Sequence, residues 1–239
     1  MNLTAYKTTI FRLHEDLPTF IAQHVPVLKN GDILVISSKL VCLWKGCALS
    51  YRGPRQKEQL IYQHSQAALK TKLAWLTIKN NMIMTNAGID ESNAAGQLLW
   101  LPEDLYACAK ELRQKIKKLY GLSKFGIIIT DSMILPLRAG VIGAAVAYSG
   151  FKGVRDERGK KDLFGRPLKT TLVNLADGLA AAAAVLMGEC NEQTPLCHIE
   201  QAPVQFVNRT SPAEISYPLE QDLYAPLLKA AGLIKRRKK

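Results

Sequence analysis

The stretch FGIIITDSMILPLRAGVIGAAVAYSG (125–150), continued by DLFGRPLKTTLVNLADGLAAAAAVLMG (162–188), decides the fold of this chain. Apolar runs at 125–129 and 141–148 predict buried strands, and the alanine-rich run after residue 172 predicts a long packed helix. Small residues in 141–148 permit close approach by a neighbouring strand or a ligand. Charged groups lie between these runs, and burying a charge is costly unless it has a partner. The stretch therefore predicts a mixed α/β core with a polar site beside it.

Length and charge set limits on the kind of protein. A chain of 239 residues is long enough for one large domain or two small ones. The formal net charge is +12, and five of the positive charges lie in the tail, residues 235–239. Without the tail the body is moderately basic, which suits anionic small molecules as well as nucleic acid. Nucleic-acid binding is therefore the weaker interpretation.

Cysteine usage and hydropathy predict a cytoplasmic protein without a membrane helix. The five cysteines are scattered and form no CxxC pair, which argues against a disulfide framework or a cysteine zinc site. Charged residues at 12–16 interrupt any apolar leader. The longest apolar stretch, residues 172–187, carries Asp177 and is about one turn too short to span a bilayer.

Periodicity predicts helices and strands on both sides of this stretch. We expect strands at 4–11, 33–37, 81–85, 98–101 and 195–199, and helices at 17–25, 58–70 and 105–120. Thr170 and Thr171 are candidate caps of the alanine-rich helix. Helices and strands are thus both predicted along the chain.

Two polar residues directly follow predicted strands, where open α/β sheets commonly bind ligands. Asp131, between Thr130 and Ser132, offers the oxygen ligands that Mg²⁺ or Mn²⁺ prefers, or it caps the next turn. Lys39 follows the strand at 33–37 and is either a ligand contact or a solvated loop lysine.

Other charged segments leave two interpretations open. Residues 152–166 form either a solvated loop or a clamp for phosphate and carboxylate, built from arginines and aspartates. Asp177 lies on an apolar helix and either finds a buried partner or faces solvent. His198 alone is more simply a satisfied strand residue.

Several separated blocks resemble the coenzyme F-420-0:L-glutamate ligase family. NAGIDESN (86–93) resembles its NAGVDxSN signature, and LLWLPEDL (98–105) resembles the strand and LPxD that follow it. GDILVISSK (31–39) and YPLEQDLY (217–224) resemble the first and last family segments, so the resemblance covers roughly the whole chain. The central block matches the family at Thr130, Asp131, Arg138, Gly140, Gly143, Gly150, Arg158, Gly159, Asp162, Gly165, Arg166, Leu168, Thr171, Ala176 and Asp177.

The resemblance implies a homodimeric α+β (mixed α/β) protein of two intimately associated domains that uses GTP and Mg²⁺ or Mn²⁺, with K⁺ as a further ion. It implies subdomains at 1–80 plus 190–239, which contacts the nucleotide, and at 81–189, which holds metal and substrate. Its implied catalytic residues are Asp131, Arg138 and Arg166, and its implied metal ligands are Asp131, Asp162, Thr171 and Asp177. Its implied nucleotide and substrate contacts are Arg12, Ser38, Lys39, Asn86, Asp90, Ser92 and Asn93.

The implied reaction is formation of an amide between L-glutamate and a carboxylate-bearing cofactor precursor of the F-420-0 type. In it, GTP phosphorylates the carboxylate, and the glutamate amine then displaces phosphate. Two alternatives remain open at this point: a γ-glutamyl ligase acting on a folate-type substrate, and a non-catalytic descendant that retains a nucleotide site.

The departures from the family pattern motivate the second alternative. Leu135 and Leu137 stand where the family's GRPWR segment carries an arginine and a tryptophan, Leu172 replaces an acidic residue, and Gly178 replaces the glutamate of ADE. A lost oxygen donor weakens a two-metal site, since Mg²⁺ and Mn²⁺ depend on such ligands.

Overall fold

The computed structural model describes residues 1–234 and confirms the mixed α+β class. The basic tail, residues 235–239, lies outside the described residues. The helices are α1 (Leu17–His24), α2 (Ser38–Trp44), α3 (Pro54–Gln63), α4 (Leu105–Tyr120), α5 (Leu175–Met187) and α6 (Ala225–Ala230). The strands are β1 (Asn2–Tyr6), β2 (Asp32–Ser37), β3 (Ala48–Ser50), β4 (Ala67–Lys70), β5 (Trp75–Lys79), β6 (Met82–Thr85), β7 (Gln97–Leu99), β8 (Phe125–Met133), β9 (Ile142–Ser149), β10 (Val154–Asp156), β11 (Leu172–Asn174) and β12 (Leu196–Glu200).

A five-stranded sheet of order β1-β12-β2-β8-β9 forms the centre of the protein. The β2–β8 pair is parallel, and the other three pairs are antiparallel. Leu34 and Ile36 pack into a core with α1, α2 and α4, whereas Ile33 and Val35 pack on α5. Because β2 is covered on both faces, its sequence is an unbroken apolar run rather than an alternating one.

The predicted helices at 17–25 and 105–120 are confirmed, and their ends have local causes. Asp16 caps α1 by accepting a hydrogen bond from Thr19 N (3.1 Å), and Asp104 caps α4 by accepting one from Ala107 N (2.8 Å). Gly121 ends α4 with φ 67°, a conformation that glycine adopts without steric cost.

Small residues on β9 serve a close contact with a helix. A Cβ placed on Gly143 would lie 2.4 Å from Ala184 Cβ and 2.8 Å from the Ala180 carbonyl oxygen of α5. Only glycine fits at this position. The predicted close approach of a neighbour is therefore made by α5.

Four sequence predictions need correction. β8 continues through Asp131 to Met133 because β9 supplies antiparallel partners that far, so Asp131 lies within the strand rather than after it. The helix expected at 58–70 is wrong in its second part, since α3 ends at Gln63 and residues 67–70 pair with β5. The first strand is residues 2–6. Asn174, not Thr170 or Thr171, caps α5.

A smaller lobe, residues 46–100, contains the sheets β3-β7 and β4-β5-β6 together with α3. The division into 1–80 plus 190–239 and 81–189 stays a prediction, and the central sheet takes strands from both of those ranges. No helix within residues 1–234 has both the length and the apolar character needed to cross a membrane. All five cysteines are free thiols.

Candidate active site

The parallel pairing of β2 with β8 brings the first two candidate residues together. Ser37 is paired with Thr130, and α2 begins immediately afterwards at Ser38. Ser38 is 3% exposed, and its side chain hydrogen-bonds to Asp131. Two stretches more than 90 residues apart therefore share one end of the sheet, as the parallel register requires.

Lys39 reaches across to the NAGIDESN loop. Its Nζ lies 2.7 Å from Asp90 Oδ2 and donates to Ser92 Oγ at 2.7 Å. Ser92 in turn donates from Oγ to Asp90 Oδ2 (2.7 Å) and from its backbone N to Asp90 Oδ1 (2.9 Å). Desolvation alone would raise the pKa of Asp90, but the hydrogen bonds from Lys39 and Ser92 outweigh it and lower that pKa. Asp90 is thus held as a carboxylate.

The backbone of the same loop is fixed by its first residues. Asn86 and Ala87 have φ of 53° and 54°, and Gly88 follows with φ 70°. Asn86 Oδ1 accepts a hydrogen bond from Trp75 N (3.0 Å), and Asn93 Nδ2 donates to the Cys190 carbonyl (2.8 Å). Asn86 and Asn93 therefore position the loop, a role that turn-forming asparagines commonly have.

Asp131 is the most electrostatically perturbed acid of this cluster. Desolvation raises its pKa from 3.8 to about 6, and the nearby charge of Asp90 adds to the effect. A hydrogen bond from Ser132 N (2.9 Å), the charge of Lys39 and the hydrogen bond to Ser38 act in the opposite direction. We call Ser38, Lys39, Asp90, Ser92 and Asp131 the Asp131 cluster.

Two residues beside this cluster escaped sequence reasoning. Glu189 Oε2 accepts a hydrogen bond from Ser132 Oγ (2.6 Å), next to Asp131. Lys79 is 6% exposed and donates to the Leu101 carbonyl at 3.3 Å, and desolvation lowers its pKa while the charge of Asp131 raises it. Lys79 could have been noticed because it is a lysine within an apolar run that is typical of a strand. No feature of the sequence pointed to Glu189.

Three predicted residues lie on an exposed hairpin segment, residues 156–171, which we call the arm. Asp162, Arg166 and Thr171 are all exposed. Asp162 Oδ1 accepts hydrogen bonds from Phe164 N (2.9 Å) and Arg166 N (2.8 Å), so this carboxylate shapes the arm's own turn. Their predicted metal and catalytic roles remain predictions.

The remaining predicted residues lie at three further places. Arg138 is exposed on the loop between β8 and β9, and Arg12 is exposed before α1, where its backbone N donates to Glu15 Oε2 (2.8 Å). Asp177 is turned inward, because Oδ1 accepts from Ala145 N (2.9 Å) and Oδ2 accepts from Asn174 Nδ2 (2.5 Å). Oδ1 of Asp177 thus joins α5 to β9, and Oδ2 is held by Asn174, the residue that caps α5.

The donor set of the Asp131 cluster suits a hard divalent cation. It holds two carboxylates, two hydroxyl groups and one lysine, and oxygen donors of this kind are preferred by Mg²⁺ and Mn²⁺. The raised pKa of Asp131 means that its negative charge is poorly compensated by the protein alone. A bound cation would supply that compensation, so these residues fit a metal.

Comparison with known proteins shows that the chain is similar to ligases that are named for L-glutamate. A model described as F420-0:Gamma-glutamyl ligase matches residues 47–201, a range that includes Asp90, Asp131 and the arm. A protein of Methanococcus maripaludis named coenzyme F420:L-glutamate ligase is 44% identical over 88% of this chain and 86% of its own length. Proteins of the same name from Methanopyrus kandleri and Methanocaldococcus jannaschii are 35% and 32% identical, over 76% and 87% of this chain and 79% and 90% of their own.

Proposed function

The chain belongs to the F420-0:gamma-glutamyl ligase family, and we propose that it forms an amide between L-glutamate and a carboxylate-bearing precursor of coenzyme F420. The relatives' names support the glutamate and coenzyme parts of this proposal. The observation that carries it in the structure is the Asp131 cluster, in which three separated segments meet at one end of the central sheet.

The proposed reaction has two steps. GTP transfers its γ-phosphoryl group to a carboxylate oxygen of the precursor, releasing GDP. The amine of glutamate then attacks the activated carbonyl carbon, loses a proton and expels phosphate, which leaves an amide. Positioning and charge stabilisation are the main demands of phosphoryl transfer.

Within this reaction we assign metal binding to Asp131. A bound Mg²⁺ or Mn²⁺ would stabilise the charge that develops on the transferred phosphoryl group. Asp131 must lose its proton to bind the ion, and the 2.7 Å contact between Lys39 and Asp90 keeps a cation beside it. We propose that Lys39 and Ser38 contact a phosphate at this end of the sheet. K⁺ stays a prediction without an assigned ligand.

The arm supports the proposal that two copies of the chain associate. Leu163 and Phe164 at its tip are 98% and 94% exposed, and Leu137 on the neighbouring loop is fully exposed. Large apolar side chains grouped on extended segments are typical of surfaces that bind a partner. We propose a homodimer in which the arm is covered, so that Asp162, Arg166 and Arg138 acquire an environment that one chain does not supply.

None of the positions that depart from the family pattern takes part in the hydrogen bonds and ion pairs described for the Asp131 cluster. Leu135, Leu137 and Leu172 are exposed on the β8–β9 loop and at the start of β11. Gly178 is exposed on α5, and a Cβ there would meet no heavy atom within 4 Å. This distribution favours a working ligase over a non-catalytic descendant, because Lys39 keeps its ion pair with Asp90 and Asp131 keeps its hydrogen bond from Ser132 N.

A coupled assay tests the proposal. The full chain would be incubated with L-glutamate, GTP, Mn²⁺ and either the F420 precursor or a folate, and GDP and amide product would be quantified. We expect GDP and product in equal amounts with the F420 precursor only. Product formed with ATP in place of GTP would show that the nucleotide assignment is wrong. Absence of product with every nucleotide and acceptor would refute the ligase function.

A further inference from the structure

A second polar cluster lies at the far end of the central sheet from Asp131. Asp32 begins β2, and His198 and Glu200 lie in the last part of β12. The antiparallel pairing of Leu34 with His198 brings the cluster residues of β2 and β12 side by side. They share the sheet face of Leu34 and Leu196, because alternate strand residues point to the same side.

The three side chains converge in a largely buried place. Asp32 is 4% exposed and His198 is 6% exposed, while the Glu200 side chain is 35% exposed. One ligand atom from each residue lies within 4.8 Å of the other two. Two donors on a tetrahedral zinc ion are roughly 3.3 Å apart, so small side-chain rotations would close a coordination shell.

The histidine nitrogen that faces this cluster lacks a hydrogen bond. His198 Nε2 lies 2.7 Å from Asp32 Oδ2 without a hydrogen bond to it, and no other group within residues 1–234 hydrogen-bonds to this nitrogen. Asp32 Oδ2 already accepts a hydrogen bond from Lys29 N at 2.6 Å. A buried, unpartnered polar atom is costly, and Nε2 is a favoured metal-binding atom.

The charges around His198 also favour a cation. Asp32 and Glu200 are both acidic, and Lys29 Nζ approaches Glu200 Oε1 only at 3.6 Å on the exposed side. Burial, followed by the charges of Glu200, Cys197 and Asp32, raises the pKa of Tyr6, so this phenol stays neutral. A divalent ion would balance the charge of the two carboxylates.

We propose that Asp32, His198 and Glu200 bind a divalent transition metal ion of the zinc class, separate from the metal proposed at Asp131. One imidazole with two carboxylates is a donor set that suits such ions. The ion would join β12 to β2 and retain an open position on the exposed side of Glu200. Its function would be to stabilise this end of the sheet, because ions that bind only the folded state raise its stability.

Zinc titration of the chelator-treated full chain tests this site. Calorimetry would compare the unsubstituted chain with His198→Gln, with the control His24→Gln, which removes a histidine from the end of α1, and with Asp131→Asn. We expect His198→Gln to bind one zinc ion fewer than the unsubstituted chain and His24→Gln, and we expect Asp131→Asn to keep the zinc ion that His198→Gln loses. Zinc should raise the thermal unfolding midpoint of the unsubstituted chain, of His24→Gln and of Asp131→Asn. It should raise the midpoint of His198→Gln by less.

The absorption spectrum of bound Co²⁺ distinguishes this site from metal binding by a cysteine thiol. Co²⁺ bound by Asp32, His198 and Glu200 should show ligand-field bands without the sulfur charge-transfer absorption that a free cysteine would produce. If His198→Gln does not fold, Glu200→Gln replaces it, since that side chain is partly exposed; it should weaken the binding of one zinc ion at least about tenfold.

Equal zinc stoichiometry and affinity in the unsubstituted chain and His198→Gln would overturn the proposal. The cluster would then be an Asp–His ion pair that binds no metal. This result is distinguishable from failure of the ligase function, because Asp131→Asn is expected to lose ligase activity and keep this zinc ion.

Discussion

The Asp131 cluster and the arm both contain predicted site residues, but their polar groups are held in different ways. In the cluster, the partners come from distant parts of the chain: Lys39 and Ser92 are 53 positions apart. In the arm, the partners are local: Arg158 pairs with Asp156 two positions away, and Asp162 binds backbone amides of its own turn. Tertiary contacts thus hold the cluster in place, whereas the arm's polar groups are satisfied within the arm itself.

The apolar residues show the same contrast. The cluster lies against buried strands, with Ile36 and Ile129 fully buried beside it, while the arm carries the almost fully exposed Leu163 and Phe164. An exposed apolar tip has hydrophobic free energy still to gain from a partner. This contrast supports the proposal that the arm packs against a second chain, whereas the contacts of the cluster are made within one chain.

Replacing Asp131 should have the largest effect on activity. We expect Asp131→Asn to lower kcat at least about 100-fold, because loss of a metal-binding carboxylate removes several kcal/mol of charge stabilisation. Asp16→Asn is the matched control, since asparagine also caps a helix. GDP release under saturating substrates measures the effect. Near-normal turnover of Asp131→Asn would remove Asp131 from the site.

A charge at the tip of the arm should break the proposed dimer. Phe164→Asp is expected to weaken self-association at least about 30-fold, because a buried phenylalanine contributes about 2 kcal/mol. Leu119→Asp is the control, since Leu119 is 54% exposed on α4, away from the arm. Sedimentation over a range of protein concentrations measures the dissociation constant. If both variants sediment like the unsubstituted chain, the arm is not an interface.

Removing Lys39 should disturb the cluster less than removing Asp131. Lys39→Met is expected to lower activity about 10- to 30-fold, because Asp90 loses its cationic partner while Ser92 still hydrogen-bonds to it. Lys115→Met is the control, since Lys115 pairs with Glu111 on an exposed helix face, where ion pairs contribute little. Steady-state kinetics would separate a change in the KM for GTP from a change in kcat. Equal activity of the two variants would contradict the role of Lys39.

The pH dependence of stability should show the smallest effect. Below about pH 4 the Asp131 carboxyl is protonated in both states, and between about pH 4 and 6 the unfolded chain loses this proton before the folded one. The folded pKa is raised, so stability falls as pH rises through this window. Relative to Asp131→Asn, we expect a loss of about 2 kcal/mol, measured by urea unfolding without divalent ions. Parallel pH profiles of the two proteins would disprove the raised pKa.

Much of the fold was predictable because it follows local rules. The α4 helix was predicted over its full length from amphipathic spacing and a proline-acid start, and its cap and glycine end are local features. The part of the small lobe at 67–70 was mispredicted as helix, because β4 exists through its pairing with β5. Tertiary pairing overrides propensity in such short strands.

The candidate site was predictable only in its residue types. Lys39 was marked by its position after a predicted strand, and Asp90 by its turn-rich loop. Asp131 was marked by a predicted strand end, although the structure extends that strand to Met133. Glu189 and Lys79 were missed, since their approach to the site depends on where α5 ends and on how β5 is buried. The predicted caps Thr170 and Thr171 were wrong, because β11 occupies the three residues between them and the helix.

The sequence by itself determined the α+β class, the buried strands at β2 and β8, and membership of the ligase family, because apolar periodicity and separated motifs are properties of the chain order. Only the tertiary structure decided which polar groups meet. Strand register placed Ser37 beside Thr130 and Leu34 beside His198, and so created the Asp131 cluster at one end of the sheet and the Asp32, His198 and Glu200 cluster at the other. Register depends on packing across the whole sheet, which no single segment encodes.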